Sequence, residues 1–136
     1  MIEEQGRTES GSVVPTRPSR RPLRARAFKE IAASLATVAS VRGVLIVAPD
    51  GLVITASLPP RSPVEALAAL GATLGRELEV GSARLGRGPL RAAVFLADHG
   101  TLFVGASRIG FVIVLGDGSA PAGSVQAALA GALDRL

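Results

Sequence analysis

Val41-Arg42-Gly43-Val44-Leu45-Ile46-Val47-Ala48-Pro49-Asp50-Gly51-Leu52-Val53-Ile54-Thr55-Ala56-Ser57 is the stretch that decides the architecture. Two apolar, β-branched runs, Val44–Ala48 and Leu52–Ser57, flank Pro49-Asp50-Gly51. Asp and Gly tolerate the positive φ of a tight reversal, so the stretch predicts an antiparallel hairpin. Neither run alternates strongly with polar residues, which implies that helices cover both faces of the sheet they join.

On the N-terminal side, Phe28, Ile31, Leu35 and Val38 recur at helical spacing and predict a helix over residues 23–41. On the C-terminal side, Pro59-Pro60 closes the second strand. Ser62-Pro63-Val64-Glu65 then reads as a capping box, with Ser62 as N-cap and Pro63 at the first helical position. The helix it opens is expected to run to Glu79, with Leu67, Leu70, Leu74 and Leu78 on one stripe. After a Gly-rich connection come three strands, Leu90–Ala97, Thr101–Ser107 and Phe111–Leu115, separated by short turns. A last helix over Pro121–Arg135 carries Val125, Leu129 and Leu133. The order helix-strand-strand-helix-strand-strand-strand-helix defines an α/β (α+β) domain around a five-stranded antiparallel sheet. Its first and last helices are expected on one face and the middle helix on the other.

Composition narrows the function. With 136 residues, 48% of them hydrophobic, the chain can bury one core without disulfides or metals. Its aromatic share is 3%, all Phe, which removes the stacking platforms of sequence-reading RNA binders. There is no Cys and one His, so thiolate zinc sites, thiol nucleophiles and disulfides are excluded. No apolar run reaches the ~20 residues of a membrane helix, and the N-terminus lacks the order of a signal peptide. No membrane insertion is expected, and the protein reads as cytoplasmic.

The net charge of +4 is unevenly spread. Residues 1–22 are rich in Pro, Ser, Gly and Arg and read as a flexible basic arm, leaving residues 23–136 as the folded domain. The folded part is close to neutral. Nucleic acid is therefore an unlikely partner, except weakly through the arm and its Arg20-Arg21 cluster.

The middle helix suggests an interface. Beside its Leu stripe lie Ala68, Gly71, Ala72 and Gly75, all small. A helical Gly costs about 1 kcal/mol relative to Ala, so two of them call for an offsetting gain. Close approach of a second helix is one such gain; a fit against the chain's own sheet is the other. The strand Leu90–Ala97 is expected at a sheet edge whose backbone needs pairing or cover. A two-fold homodimer meets both needs, with Ala68, Gly71, Ala72, Gly75, Arg76, Leu90, Arg91 and Val94 as candidate interface residues.

The signature Val41-Arg42-Gly43-Val44-Leu45-Ile46-Val47, then Pro49-Asp50-Gly51-Leu52-Val53-Ile54, resembles that of the roadblock/dynein-light-chain family. Leu90–Phe95, the Gly100 turn and Phe111–Leu115 match its remaining strands in order, so the similarity spans residues 28–136. The resemblance implies a homodimer with a ten-stranded shared sheet, acting as a non-catalytic scaffold or regulator of a small Ras-like GTPase, as in the bacterial gliding-motility regulator of the family. The middle helices would form the platform. If hydrolysis is stimulated, ordering of the partner's switch segments competes with an inserted arginine, for which Arg76 and Arg91 are the candidates.

No catalytic, cofactor or metal site is expected. His99 stands alone in a turn, and Gly86-Arg87-Gly88 and Gly116-Asp117-Gly118 lack the remainder of any phosphate-cradling motif. Two other functions stay open: a small-molecule sensor or other docking module of profilin-like fold, which would need convergent polar groups in a pocket, and nucleic-acid binding through the arm, which would weaken steeply with salt.

Overall fold

The computed structural model describes residues 20–119 and 122–136. In chain order the elements are α1 (Arg20–Ala36), β1 (Val41–Val47), β2 (Val53–Ser57), α2 (Val64–Arg84), β3 (Ala92–Ala97), β4 (Gly100–Ser107), β5 (Gly110–Gly116) and α3 (Ala122–Asp134). One antiparallel sheet has the order β2-β1-β5-β4-β3, so β2 and β3 are its edges.

The hairpin forms as its sequence demands. Gly51 takes φ +95°, and its N–H donates to the Ala48 carbonyl at 2.9 Å. The Asp50 carboxylate accepts the Leu52 N–H at 3.1 Å, so the acid stabilises the reversal that it begins. Central strands then carry apolar side chains to both faces, with a period of two. Val44 and Ile46 of β1, Val112 and Val114 of β5, and Phe103 of β4 join Ile31, Leu35, Val125 and Leu129 from α1 and α3. Leu45, Val47, Val104, Phe111 and Ile113 face the other way, onto Ala68 and Ala72 of α2. The sheet thus has two core layers, which is why polar alternation is missing from β1 and β5. Each fully buried Val, Leu or Phe side chain contributes about 1.5–3 kcal/mol.

Four local expectations change. The first helix opens at Arg20, three residues before its expected start; the arm before it lies outside the described residues. Pro22 is tolerated because the first-turn N–H groups have no helical partner. The same helix closes at Ala36, where the Thr37 N–H and hydroxyl both turn back to the Ser34 carbonyl at 3.3 and 2.7 Å. Val38 still reaches the core from beyond the helix.

The capping box does not form. Pro63 is the N-cap and makes no side-chain cap bond, while the Ser62 hydroxyl donates backward to the Pro59 carbonyl at 2.6 Å. Finally, α2 runs on past Glu79 to Arg84. It ends in a Schellman closure: the Gly86 N–H bonds the Ala83 carbonyl at 3.0 Å and the Arg87 N–H bonds the Ser82 carbonyl at 2.9 Å, with Gly86 at φ +70°.

Candidate functional site: the flank of α2 and the β3 edge

The small flank of α2 faces its own sheet. Ala68, Gly71, Ala72 and Gly75 are all buried within the single chain. A Cβ on Gly71 would lie 2.8 Å from Ile113, and one on Gly75 would lie 2.5 Å from the Phe111 ring. Both large side chains stand on β5 directly beneath the helix. The glycines therefore make room for Phe111 and Ile113, and this close packing offsets their helix cost. These four residues are not open to a second chain, which corrects the expectation that they form an intermolecular seam.

The Leu stripe takes the lateral position instead. Leu67 packs at the margin of the core, Leu70 is 52% exposed, and Leu74 looks toward β3. The helix lies across β2, β1, β5 and β4 and barely reaches β3, so that edge strand lacks a helix on this face. The uncovered shelf and the helix flank enclose a groove of ≈ 600 Å³ lined by Leu74, Phe95, Leu102 and Leu115, with His99 and Thr101 toward one end. Phe95, opposite Leu102 in the β3–β4 register, keeps more than a third of its surface exposed.

The edge is open along its backbone too. Arg91 accepts the Ala106 N–H at 2.9 Å, which fixes the phase of the β3–β4 ladder. Alternation then turns the N–H and C=O groups of Ala92, Val94 and Leu96 outward. No described residue pairs with them. The opposite edge is treated differently, because α1 packs across β2 as well as β1.

The remaining candidates are dispersed. The Val94 side chain is half-buried and packs toward the α1/α3 core. Leu90 is half-buried and Arg91 exposed, both at a cleft beyond the strand's start. Arg76 is exposed, but its guanidinium donates to the Pro49 carbonyl of the hairpin turn and approaches the Thr73 hydroxyl at 3.4 Å. It ties α2 to the turn. Leu74, Phe95, Leu102 and Leu115, which line the groove, were not among the candidates read from the sequence. The signal was a Phe and an Ile on one face of β5, which call for a small helix surface above them and so push the leucines aside.

No group of three or more potential metal-ligating side chains occurs among the described residues. No described helix is long and apolar enough to cross a membrane. Among the described residues Asp117 is the one carboxyl with a resolved shift: bonds from the Ser119 hydroxyl (2.6 Å) and N–H (2.9 Å), with Arg42 at 3.1 Å, hold it below the usual carboxylate range. These contacts pin the exit of β5 and have no catalytic neighbour.

The sheet lies between α2 on one face and α1 with α3 on the other, and its β3 edge has no helix over it on the α2 face. The Roadblock/LC7 domain family matches residues 27–117, and the chain belongs to that family. An uncharacterized protein of Methanocaldococcus jannaschii is 30% identical over 97 residues, covering 71% of this chain and 84% of its own length. Among solved structures, Myxococcus xanthus MglB superposes with a TM-score of 0.71 at 18% identity, over 79% of this chain and 85% of MglB. The gliding protein MglB of Thermus thermophilus gives 0.68 at 20% identity, over 91% and 96% of the two chains. At these identities the likeness is one of fold.

Proposed function

We propose that the protein is a non-catalytic homodimeric scaffold that binds and modulates a small Ras-like GTPase. The observation that carries the proposal is the bare β3 edge beside the Leu74–Phe95 groove, on a chain of the Roadblock/LC7 family. A second copy pairing along β3 would satisfy the outward backbone groups of Ala92, Val94 and Leu96 and would cover Phe95 and the groove. The pair would then present two α2 helices side by side, with Ala66, Ala69, Thr73 and Glu77 exposed as a shallow platform.

Such a platform suits ordering of a partner's mobile segments better than insertion of an arginine. Arg76 is engaged by Pro49, and moving it into a partner would cost that bond. The test is retention of purified Ras-like GTPases, loaded with GDP or with a GTP analogue, on the immobilised full chain. Nucleotide-dependent retention is expected. A chain that is monomeric and retains neither loaded form would contradict the proposal.

A further inference from the structure

The two ends of the sheet differ in charge. At one end lie the β1–β2 and β4–β5 turns, the start of β3 and the close of α3. Gly75 sits over Phe111 at this end, so the last turns of α2 overhang the sheet. Arg84, Arg87, Arg91, Arg108 and Arg135 all belong here and all are exposed, against Asp50 of the β1–β2 turn, Glu79 and Asp134. Arg91, Arg108 and Arg135, from three separate parts of the chain, line one cleft of ≈ 890 Å³ together with Glu79 and Asp134. None of these five arginines forms an ion pair with another described residue. Because α1 runs back along β1 and β2, its N-terminal turns, which include the exposed Arg26, point the same way. The opposite end carries Arg42 and Arg61 against Glu65, Asp98 and Asp117.

Two large apolar side chains of this end are exposed, Val80 at 49% on α2 and Leu85 beyond it. Leu85 is 76% exposed, between Arg84 and Arg87. Its position is set by the backbone. The Schellman closure on either side of Gly86 fixes the turn, and the Ser82 hydroxyl donates to the Gly88 carbonyl at 2.7 Å and fastens the loop's far side. A leucine held in water by an ordered turn, between two arginines that form no ion pair among the described residues, matches an interface that is anionic at its surface and apolar just beneath.

We infer that this end of the domain docks on an anionic membrane surface, with Leu85 entering the headgroup boundary and the arginines meeting lipid phosphates. Binding of this kind lies on the bilayer and needs no spanning helix. Nucleic acid supplies the charge but no apolar layer for Leu85, and no aromatic side chain stands by the loop for bases to stack on. In a pair built along β3 the two strands run oppositely, so the two basic ends point apart. Each subunit binds by its own end, and the inference does not depend on the dimer.

Co-sedimentation of the full chain tests it, with vesicles of phosphatidylcholine plus phosphatidylglycerol against phosphatidylcholine alone. Partitioning is expected to the anionic vesicles only, and to fall as salt is raised. Leu85→Asp should reduce it about tenfold, and Arg87→Glu about tenfold or more. Leu85→Ser provides a second variant, and circular dichroism identifies any that fail to fold. Arg61→Glu makes the same charge change at the other end of the seven-residue strand β1, about 23 Å away. That is more than two Debye lengths at physiological salt, so it should change partitioning less than about twofold. Absence of binding to the anionic vesicles would overturn the inference. So would an equal loss in Arg61→Glu and Arg87→Glu, indifference to both Leu85 variants, or capture by a DNA duplex in place of vesicles.

Discussion

The two flanks of α2 meet the same sheet in opposite ways. On one flank the helix is stripped to Ala and Gly so that Phe111 and Ile113 of β5 can rise against it. On the other it leaves Leu70 half-exposed and carries Leu74 beside a strand that it fails to cover. The first flank shows how a helix can be apolar without large side chains, since the bulk comes from the strand. The second shows apolar surface left over once that fit is complete. The close packing lies on the Gly flank, and the association proposed above lies on the Leu flank.

The largest expected effect lies on the Gly flank. Gly75→Leu should abolish folding or lower stability by at least about 3 kcal/mol, because the Phe111 ring already fills the space. Gly71→Ala should cost less, about 1 kcal/mol net, since the Ile113 side chain can turn aside and alanine favours the helix. Urea titrations of both variants check the order. If both fold with unchanged midpoints, the packing account of this flank fails.

On the Leu flank the pattern should reverse. Phe95→Glu is expected to weaken self-association at least tenfold, about 1.4 kcal/mol, while moving the unfolding midpoint of the monomer little. Sedimentation equilibrium and urea melts separate the two readouts.

The smallest effect concerns neither flank. The carboxyl of Asp117 titrates below its ordinary value of 3.8 because Ser119 and then Arg42 favour its ionised form. Its contribution to stability is therefore present above that ordinary value and is lost as pH falls through it toward the lower folded value. Asp117→Asn should flatten that part of the acid stability curve. An unchanged curve would show that the contacts are too solvated to matter.

Much of the fold was legible because local chemistry and global arrangement agree. Asp50 and Gly51 specify the hairpin on their own, and Phe28, Ile31 and Leu35 mark α1 by spacing, while Val38 falls past its end. The division of helices between faces follows from strands that are apolar on both sides. The candidate site was harder to read. A helical wheel shows that α2 has two adjacent apolar stripes, and hydrophobicity alone chooses the leucines for the core. Only volume matching with Phe111 and Ile113 reverses that choice, and the match becomes visible once β5 is placed beneath the helix. Ser62 misled for a similar reason: its hydroxyl could accept from the helix or donate to Pro59, and the local backbone decided. The basic end was not legible at all, since its five arginines span residues 84–135 and meet only through the topology.

Solution mass of the full chain across a dilution series, by light scattering, bears most directly on the central proposal that a second copy seals β3 and the Leu74–Phe95 groove. Twice the subunit mass of 13.8 kDa is expected for the native chain, falling to the single value in Phe95→Glu. A native chain of single mass at every concentration, or a Phe95→Glu variant that stays paired as tightly as the native one, would contradict it.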